Sequence, residues 1–460
     1  MTLSRLFLSG YMAYHSLGQA RYPYKPLGVI KQDQARRVRA AVAHAYSFVP
    51  YYHDIMGKLG LRPTDFRVAE DLRKLPVLRR DQVQRDPEYF VSKVEPLDRH
   101  LRIRNSGSMG KPCTFYYDAR CLCQDAAHGG RARAVVARFV GRSSGYRKTQ
   151  VFPPAGSMDT SQRFYHDRTL VPAAFSFRRQ RLSLLDPPEL NQPLMEEFKP
   201  DVIQTYGSYA ESLFAYSQAT GKPFHHPKIL LYTADQLADS ARKLIEEEFE
   251  IQVLSIYEAT AAYNIGFECE RHKGLHLNID LVPVRVVDIE GRDLPDGESG
   301  DLVVSNLTNR GTMLLNYHLG DVAAILPESC PCGRSLPLLT HVQGRSDDWM
   351  KLPSGEMVHP QVMARIVSCT DQIWQWQVVE LASGHLKLSL VPTETCNREE
   401  TAGRIRTVCT QTLGTGVQVD VEFVDSVERT PAGKVRPVIS LLAKSRAGSG
   451  QESRKGDPCC

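Results

Sequence analysis

The sequence lacks any run of roughly 18 consecutive apolar residues, the length that a membrane-spanning helix requires. It also lacks a strong excess of either charge, because 57 Lys and Arg residues stand against 52 Asp and Glu residues, for a net charge of +5. A chain with so small a net charge does not strongly attract a polyanion such as a nucleic acid. We therefore expect neither a membrane partner nor a nucleic-acid partner.

A secreted disulfide scaffold is also absent from the sequence, since its eleven cysteines are an odd number spread over a long chain. Residues 1–16 contain Arg5 and several apolar residues, but polar residues interrupt the apolar run and no small-x-small cleavage site follows. This segment is predicted to form an amphipathic helix and not a signal peptide. Both features favour the cytoplasm.

The 460 residues are too many for one ordinary core, so we expect a large domain and a smaller one. Between residues 201 and 257, three strand-like segments alternate with two helical ones, a pattern typical of a parallel α/β sheet. Ligands bind at the carboxyl ends of the strands in such sheets. The turns at residues 206–208, 233–236 and 257–261 are therefore predicted to wall a pocket.

After residue 281 the pattern changes to alternation and turns, which predicts antiparallel β structure. Residues 344–348 are the predicted domain boundary, and beyond them two helices and three strands form an α+β unit of about 100 residues. The predicted fold class is α/β, with a large N-terminal domain (1–346) of mixed sheets plus an antiparallel β region. A small α+β C-terminal lid (347–445) and a disordered tail (446–460) follow.

One stretch has the composition of an anion-binding loop, combining hydroxyl groups, glycines and a cation: Ser106, Gly107, Ser108, Gly110 and Lys111. It differs from the P-loop pattern, because one residue separates Ser108 from Gly110 and no Ser or Thr follows Lys111. Residues 71–78 ahead of the loop and 114–117 after it predict a strand, glycine-rich turn, strand arrangement. Taken alone, the same composition is typical of an ordinary surface turn.

Two charged residues stand in turns further along the chain. Asp321 follows a glycine, and its carboxylate could accept hydrogen bonds from both hydroxyls of a ribose, or it could cap its own turn. Lys434 lies beside Gly433 in a loop that would also fit a solvated basic turn.

In this order, the stretches resemble the adenylate-forming (acyl-CoA synthetase) superfamily, in particular its phenylacetate-CoA ligase and CapK-like branch. The resemblance runs from about residue 49 to Lys434. It implies a loop over the ATP phosphates at residues 106–111, a ribose contact at Asp321, a nucleotide contact at Arg345 and a hinge at Asp347. It also implies catalytic positions at Lys434 and Thr260. The further nucleotide-binding positions are Thr233, Ala234, Asp235, Tyr257, Glu258 and Ala259, and the acyl-substrate positions are Tyr206, Gly207, Ser208 and Ser255.

One departure from the family pattern concerns the metal. The family has Tyr-Gly-x-Thr/Ser-Glu where this chain reads Tyr257-Glu258-Ala259-Thr260-Ala261, so Ala261 replaces the carboxylate expected beside Mg²⁺. Glu258 is three residues away and is not expected to substitute for it. This difference keeps open a second interpretation, a homologue that binds nucleotide or acyl ligand without turnover.

Cys269, His276, Cys330 and Cys332 are predicted to bind a structural Zn²⁺, because three soft thiolates and an imidazole suit that metal. We prefer His276 to His272, since Gly274 and Leu275 precede it as in some members of the branch. Reduced, buried cysteines are the alternative.

The resemblance implies an ATP- and Mg²⁺-dependent ligase that activates a small carboxylic acid, with an aryl or arylacetic acid as the expected substrate. The acyl group would pass to CoA, or alternatively to an amine. The chain would act as a monomer or a homodimer.

Overall fold

The structure is a computed structural model that describes residues 2–104, 113–154, 156–170, 178–345, 350–354, 357–358, 360–367, 369–370, 372–430 and 433–441. The predicted phosphate loop, Ser106 to Lys111, and the predicted hinge, Asp347, lie outside these residues. The helices are α1 (Thr2–Ser16), α2 (Leu27–Phe48), α3 (Pro50–Lys58), α4 (Arg80–Arg85), α5 (Ala119–His128), α6 (Gly130–Val140), α7 (Ser157–Arg168), α8 (Pro188–Phe198), α9 (Gly207–Thr220), α10 (Asp239–Glu248), α11 (Pro360–Val367) and α12 (Arg398–Leu413).

The strands of the first two thirds of the chain are β1 (Leu101–Arg104), β2 (Thr114–Tyr117), β3 (Arg147–Phe152), β4 (Arg178–Ser183), β5 (Val202–Tyr206), β6 (Ile229–Thr233), β7 (Gln252–Ala259), β8 (Ala262–Glu268), β9 (Leu275–Leu277), β10 (Val284–Val287) and β11 (Gly300–Val304). The remaining strands are β12 (Tyr317–Ala323), β13 (Ile325–Leu326), β14 (Leu338–Leu339), β15 (Gly344–Arg345), β16 (Met350–Lys351), β17 (Met357–Val358), β18 (Ile373–Ala382), β19 (His385–Pro392), β20 (Gln418–Phe423) and β21 (Val438–Ser440).

A nine-stranded sheet forms the centre of the described part of the chain, in the order β13-β14-β9-β8-β7-β6-β5-β3-β4. Strands β4, β3, β5, β6 and β7 run parallel, and the strands beyond β7 are antiparallel. Strand β6 is buried along its whole length, as expected for a parallel strand covered on both faces. The predicted strand and helix alternation and the predicted α/β class are confirmed.

An antiparallel sheet, β10-β11-β12-β15, lies beside the central sheet and confirms the β structure predicted after residue 281. The strand predicted ahead of the phosphate loop needs a correction. Residues 69–74 form a 3-10 helix, and the strand that pairs with β2 is β1, with Leu101 opposite Tyr117 and Arg104 opposite Thr114. The two paired strands stand on either side of residues 105–113.

The C-terminal part has its own four-stranded sheet, β20-β19-β18-β21, and its own buried core. Helix α12 begins after Asn397, whose side chain accepts a hydrogen bond from the backbone N–H of Glu400, as a helix N-cap does. Trp374 at the start of β18 is buried in a core that also contains Phe214 of α9 and Ile245 of α10. The C-terminal sheet therefore packs against helices of the central sheet.

Helix α1 is the amphipathic helix predicted near the N-terminus. Among the described residues, no helix is both long enough and apolar enough to span a membrane.

A buried ion pair connects α6 to the segment that follows β9. Arg131 and Asp280 are almost completely buried, and two guanidinium nitrogens of Arg131 donate to the two carboxylate oxygens of Asp280 at 2.7 and 2.8 Å. Burial alone would raise the pKa of Asp280, but Arg131 reverses the effect and lowers it. Removing one partner would leave the other charge buried without compensation.

We expect Asp280→Asn to lower the free energy of unfolding by about 3–5 kcal/mol, because it leaves the Arg131 guanidinium buried and unneutralised. The matched control is Asp288→Asn, which weakens a pair with the exposed Arg292 and should cost much less. Denaturant unfolding of both variants measures the difference. Equal costs for the two would show that the buried pair contributes no more than a surface pair.

Candidate active site

A cavity of about 620 Å³ opens at the carboxyl ends of β6 and β7, between the central sheet, the β12-β15 edge and the C-terminal sheet. It is the position at which parallel α/β sheets bind ligands. The predicted site residues that line it are Thr233, Ala234, Asp235, Ser255, Tyr257, Glu258, Ala259, Thr260, Asp321, Arg345 and Lys434.

Tyr206, Gly207 and Ser208 do not line this cavity but support its wall. A Cβ atom on Gly207 would lie 2.2 Å from the carbonyl oxygen of Gln236, so glycine permits the close approach of the two turns. Ser208 donates from its backbone N–H and its hydroxyl to the carboxylate of Asp235, at 3.1 and 2.6 Å. These residues therefore hold the 233–236 turn in position.

Asp321 is fixed by two donors, one on each carboxylate oxygen. The hydroxyl of Tyr257 donates to Oδ2 at 2.7 Å, and the guanidinium of Arg345 donates to Oδ1 at 2.8 Å. Asp321 and Arg345 are also opposite each other in the pairing of β12 with β15. Because the carboxylate is held from both sides, its remaining lone pairs are presented to the cavity in a fixed direction.

Lys434 reaches the cavity from the C-terminal part of the chain. Its loop is closed by a hydrogen bond from the Gly433 N–H to the Thr430 carbonyl at 2.7 Å, and its Nζ lies 5.7 Å from the centre of the Tyr206 ring. Burial lowers the pKa of Lys434, while Asp235 and Asp321 act in the opposite direction. An ammonium group from a loop of the C-terminal part and a carboxylate from β12 thus share one cavity.

Arg429, five residues before Lys434, makes the main polar contact between the C-terminal part and α9. Its guanidinium donates to the carbonyl and hydroxyl oxygens of Ser208 at 2.9 and 3.0 Å, and to the Ser212 hydroxyl at 2.8 Å. It also donates to the Gly433 carbonyl at 3.0 Å, which links the contact directly to the Lys434 loop. Gln375 adds a bond to the Ser208 carbonyl at 2.6 Å.

Neither Arg429 nor Gln375 was predicted from the sequence. The available signal for Arg429 was its position five residues before Lys434, since a residue near a predicted catalytic group is a candidate for holding it in place. Nothing in the local pattern around Gln375 indicated a role.

Glu258 and Ala261 lie at the end of β7 and in the turn to β8. Glu258 lines the cavity, and burial raises its pKa against the opposing effect of Lys148 and Arg133. Ala261 also lines the cavity but carries no oxygen on its side chain. A carboxylate is therefore absent where the family pattern puts one, and the site does not fit the expected magnesium ligand at this position.

A second cluster of candidate ligand residues lies at the end of β8, in β9 and between β13 and β14. Cys269, His276, Cys330 and Cys332 come together, with all four ligand atoms within 4.8 Å of one another. The Sγ atoms of Cys269 and Cys330 are 3.7 Å apart, and Sγ of Cys332 is 3.3 Å from Nε2 of His276. His272 instead contacts the carboxylate of Glu268 at 2.9 Å.

Comparisons with known proteins agree with this architecture. The family model described as the CapK C-terminal domain matches residues 350–441. Phenylacetate-coenzyme A ligase of Thermus thermophilus is 27% identical over 376 residues, which cover 78% of this chain and 80% of that protein.

A crystal structure of 2-hydroxyisobutyryl-CoA ligase in the postadenylation state, in complex with R3-HIB-AMP, aligns with a TM-score of 0.73 at 20% identity, covering 92% of both chains. The chain has the fold of the adenylate-forming CoA ligases. The predicted resemblance to the superfamily and to its phenylacetate-CoA ligase and CapK-like branch is confirmed. With the same ligase in its thioesterification state the TM-score is 0.60, over 92% of this chain and 94% of that one.

We expect Arg429→Met to release the C-terminal sheet from α9, because the variant loses the three hydrogen bonds that a half-buried guanidinium donates to α9. The described arrangement, with the C-terminal sheet against α9, should become at least tenfold less populated relative to arrangements in which the two are apart. This change corresponds to about 1.4 kcal/mol or more. Small-angle scattering would then give a larger radius of gyration than for the parent chain. The control is Arg406→Met, an exposed residue of α12, and identical scattering from all three proteins would contradict the role of Arg429.

Proposed function

We propose that the chain is an ATP-dependent carboxylate-activating ligase that forms an acyl-adenylate and transfers the acyl group to CoA. The observation that carries the proposal is the shared cavity of Lys434, from a loop of the C-terminal part, and Asp321, from β12. Support also comes from the named CoA ligases, one of which was crystallised with an acyl-adenylate. An aryl or arylacetic acid remains the proposed substrate, by likeness to the phenylacetate-CoA ligases.

In the first half-reaction a carboxylate oxygen of the acid attacks the α-phosphorus of ATP. A new P–O bond forms, the bond from that phosphorus to the bridging oxygen breaks, and pyrophosphate leaves with its electron pair. Two anions must approach each other in this step, so fixed positive charge and tight positioning lower the barrier. Lys434 is the proposed source of that charge, and the oriented carboxylate of Asp321 is the proposed acceptor for the ribose hydroxyls.

The turns at residues 233–236 and 257–260 would then hold the adenine and the acyl group. We further propose that residues 106–111 cover the ATP phosphates and that Asp347 is the hinge. Rotation of the C-terminal part about this hinge would withdraw Lys434 and admit the second nucleophile. The thiol of CoA attacks the acyl carbonyl, a thioester forms, and AMP leaves.

The higher TM-score with the postadenylation structure than with the thioesterification structure supports assigning the described arrangement to the adenylation half of the cycle. Because Ala261 offers no carboxylate, none of the proposed steps passes through magnesium. Transfer to an amine is the alternative acceptor reaction. The Ala261 substitution also favours, as a second candidate, a homologue that binds nucleotide and acyl ligands without turnover.

We expect the parent chain to catalyse carboxylate-dependent exchange of pyrophosphate into ATP, and Lys434→Ala to lower that rate by about 10²- to 10³-fold. The loss should appear in kcat, with ATP binding less affected, because the ammonium acts mainly on the transition state. Lys387→Ala, a change at a half-exposed lysine of β19, is the control.

A panel of aryl, arylacetic and aliphatic acids identifies the substrate, and CoA or amines added afterwards identify the acceptor. If no acid supports exchange at high enzyme concentration, the interpretation as a ligase is wrong and the interpretation as a non-catalytic homologue is favoured. Exchange at the parent rate in Lys434→Ala would remove the assigned role of that lysine.

We propose also that Cys269, His276, Cys330 and Cys332 hold a structural Zn²⁺. In a tetrahedral zinc site two thiolate sulfurs are about 3.8 Å apart, and a thiolate sulfur and an imidazole nitrogen about 3.6 Å. The distances of 3.7 and 3.3 Å are close to these values. Burial lowers the pKa of His276 to about 4, so its imidazole is neutral near pH 7, the form that binds metal. Four protein ligands leave no position for a substrate, so such a site stabilises the β8-β9 region.

We expect the purified chain to contain one zinc ion, measured by elemental analysis after dialysis. Cys332→Ser should lose the metal and lower the melting temperature, because only three of the four ligands, Cys269, His276 and Cys330, then remain. His272→Ala should retain it, since that ring faces Glu268 and not the thiols. Zinc-free protein with the parent stability would favour reduced, buried cysteines.

A further inference from the structure

Helix α1 contacts the rest of the protein with one face, and the opposite face is exposed. On the inner face Leu8 is buried, the Arg5 guanidinium donates to the carbonyls of His166 and Thr169, and the Ser9 hydroxyl accepts from the Leu170 N–H. These contacts attach α1 to the end of α7. The most extensive contact of α1 is with α5. The helix is therefore fixed to the body of the protein.

The outer face of α1 is exposed and apolar along its whole length. Its residues recur three or four positions apart, which puts them on one side of the helix. Together with Leu17, the first residue after α1, we refer to them as the outer stripe: Leu3, Leu6, Phe7, Gly10, Ala13, Tyr14 and Leu17. Leu3, Tyr14 and Leu17 are 84%, 71% and 76% exposed. Single exposed leucines are ordinary, but a continuous stripe of this kind indicates an interaction surface.

The segment that carries the outer stripe has charged residues of one sign only. No Asp or Glu occurs among the first 32 residues, whereas Arg21, Lys25 and Lys31 are exposed there. The guanidinium of Arg120 on α5 lies 5.6 Å from the centre of the Phe7 ring. An apolar helix face in a basic segment, with a guanidinium group beside it, is the pattern that binds anionic lipid surfaces.

We propose that the outer stripe seats the protein on an anionic lipid bilayer, with α1 lying in the plane of the headgroups. Helix α1 has 15 residues and is therefore about 22 Å long, enough for several side chains to enter the acyl boundary together. A second copy of the chain is a poorer occupant, because pairing two stripes would bring these cations together without a matching acidic residue in the segment. The expectation of no membrane partner came from the absence of an apolar run long enough to span a bilayer, and that criterion does not detect a helix that lies on the surface of one.

The experiment is flotation of the full chain with vesicles of phosphatidylcholine alone or of an equimolar mixture with phosphatidylglycerol. We expect binding to the mixed vesicles, weaker binding to phosphatidylcholine, and release at high salt, because apolar insertion and charge attraction act together. The test variant is Leu3→Glu with Leu17→Glu, which should lower the partition coefficient at least about tenfold. Both side chains are exposed, so the fold should tolerate the change.

The matched control is Leu190→Glu with Ile289→Glu, which adds the same charge at two other exposed apolar positions. This control should keep most of the binding of the parent chain. An equal loss of vesicle binding in both double variants would show that only the net charge matters and would overturn the proposal. The absence of binding to either kind of vesicle would also overturn it. Light scattering tests the alternative that a second copy of the chain binds the outer stripe. If the parent chain has twice the mass of 51.6 kDa and Leu3→Glu with Leu17→Glu has the single mass, the stripe serves self-association. That result would overturn the proposal of a lipid surface.

Discussion

The contact between Arg429 and the first turn of α9 is the interaction on which the arrangement of the cavity depends. Lys434 belongs to the C-terminal part of the chain, and its charge is useful only while that part lies against the central sheet. Arg429 bonds on one side to Ser208 and Ser212 and on the other to the Gly433 carbonyl, so one guanidinium sets the distance between α9 and the Lys434 loop. A planar group with several donors in fixed directions suits this task better than an ammonium would.

The same turn of α9 also holds the pocket wall. Ser208 donates to Asp235, and the Val435 N–H donates to the same carboxylate at 3.3 Å. Asp235 is thus shared between the wall of the cavity and the loop that delivers Lys434. Burial raises the pKa of Asp235, while the Ser208 bonds, and then Lys434 and Arg429, act to lower it. Movement of the C-terminal part therefore also changes the surroundings of a carboxylate in the pocket.

Much of the central sheet could be predicted from the sequence, since buried parallel strands are continuous apolar runs and the helices between them are amphipathic. The turns after β6 and β7 followed from topology alone, and both line the cavity. Strand β1 was missed because four residues with a single buried side chain, Ile103, carry no clear alternation. Arg429 was missed because its partners, Ser208 and Ser212, are more than 200 residues away in the chain. Periodicity describes one element at a time and contains no information about such a contact.

The burial of Lys434 would couple nucleotide binding to the position of the C-terminal part in the proposed cycle. Burying an ammonium group costs free energy, and burial is the main cause that lowers the pKa of Lys434. Arg345 adds to this effect, and the carboxylates of Asp235 and Asp321 only partly offset it. A polyphosphate entering the cavity would bring further negative charge to the ammonium, raise its pKa and favour the arrangement in which Lys434 is inside. In the proposed cycle, the departure of pyrophosphate would remove most of that charge, while the cost of burying the lysine would remain. The balance would then shift toward withdrawal of the C-terminal part, at the stage when the second nucleophile has to enter.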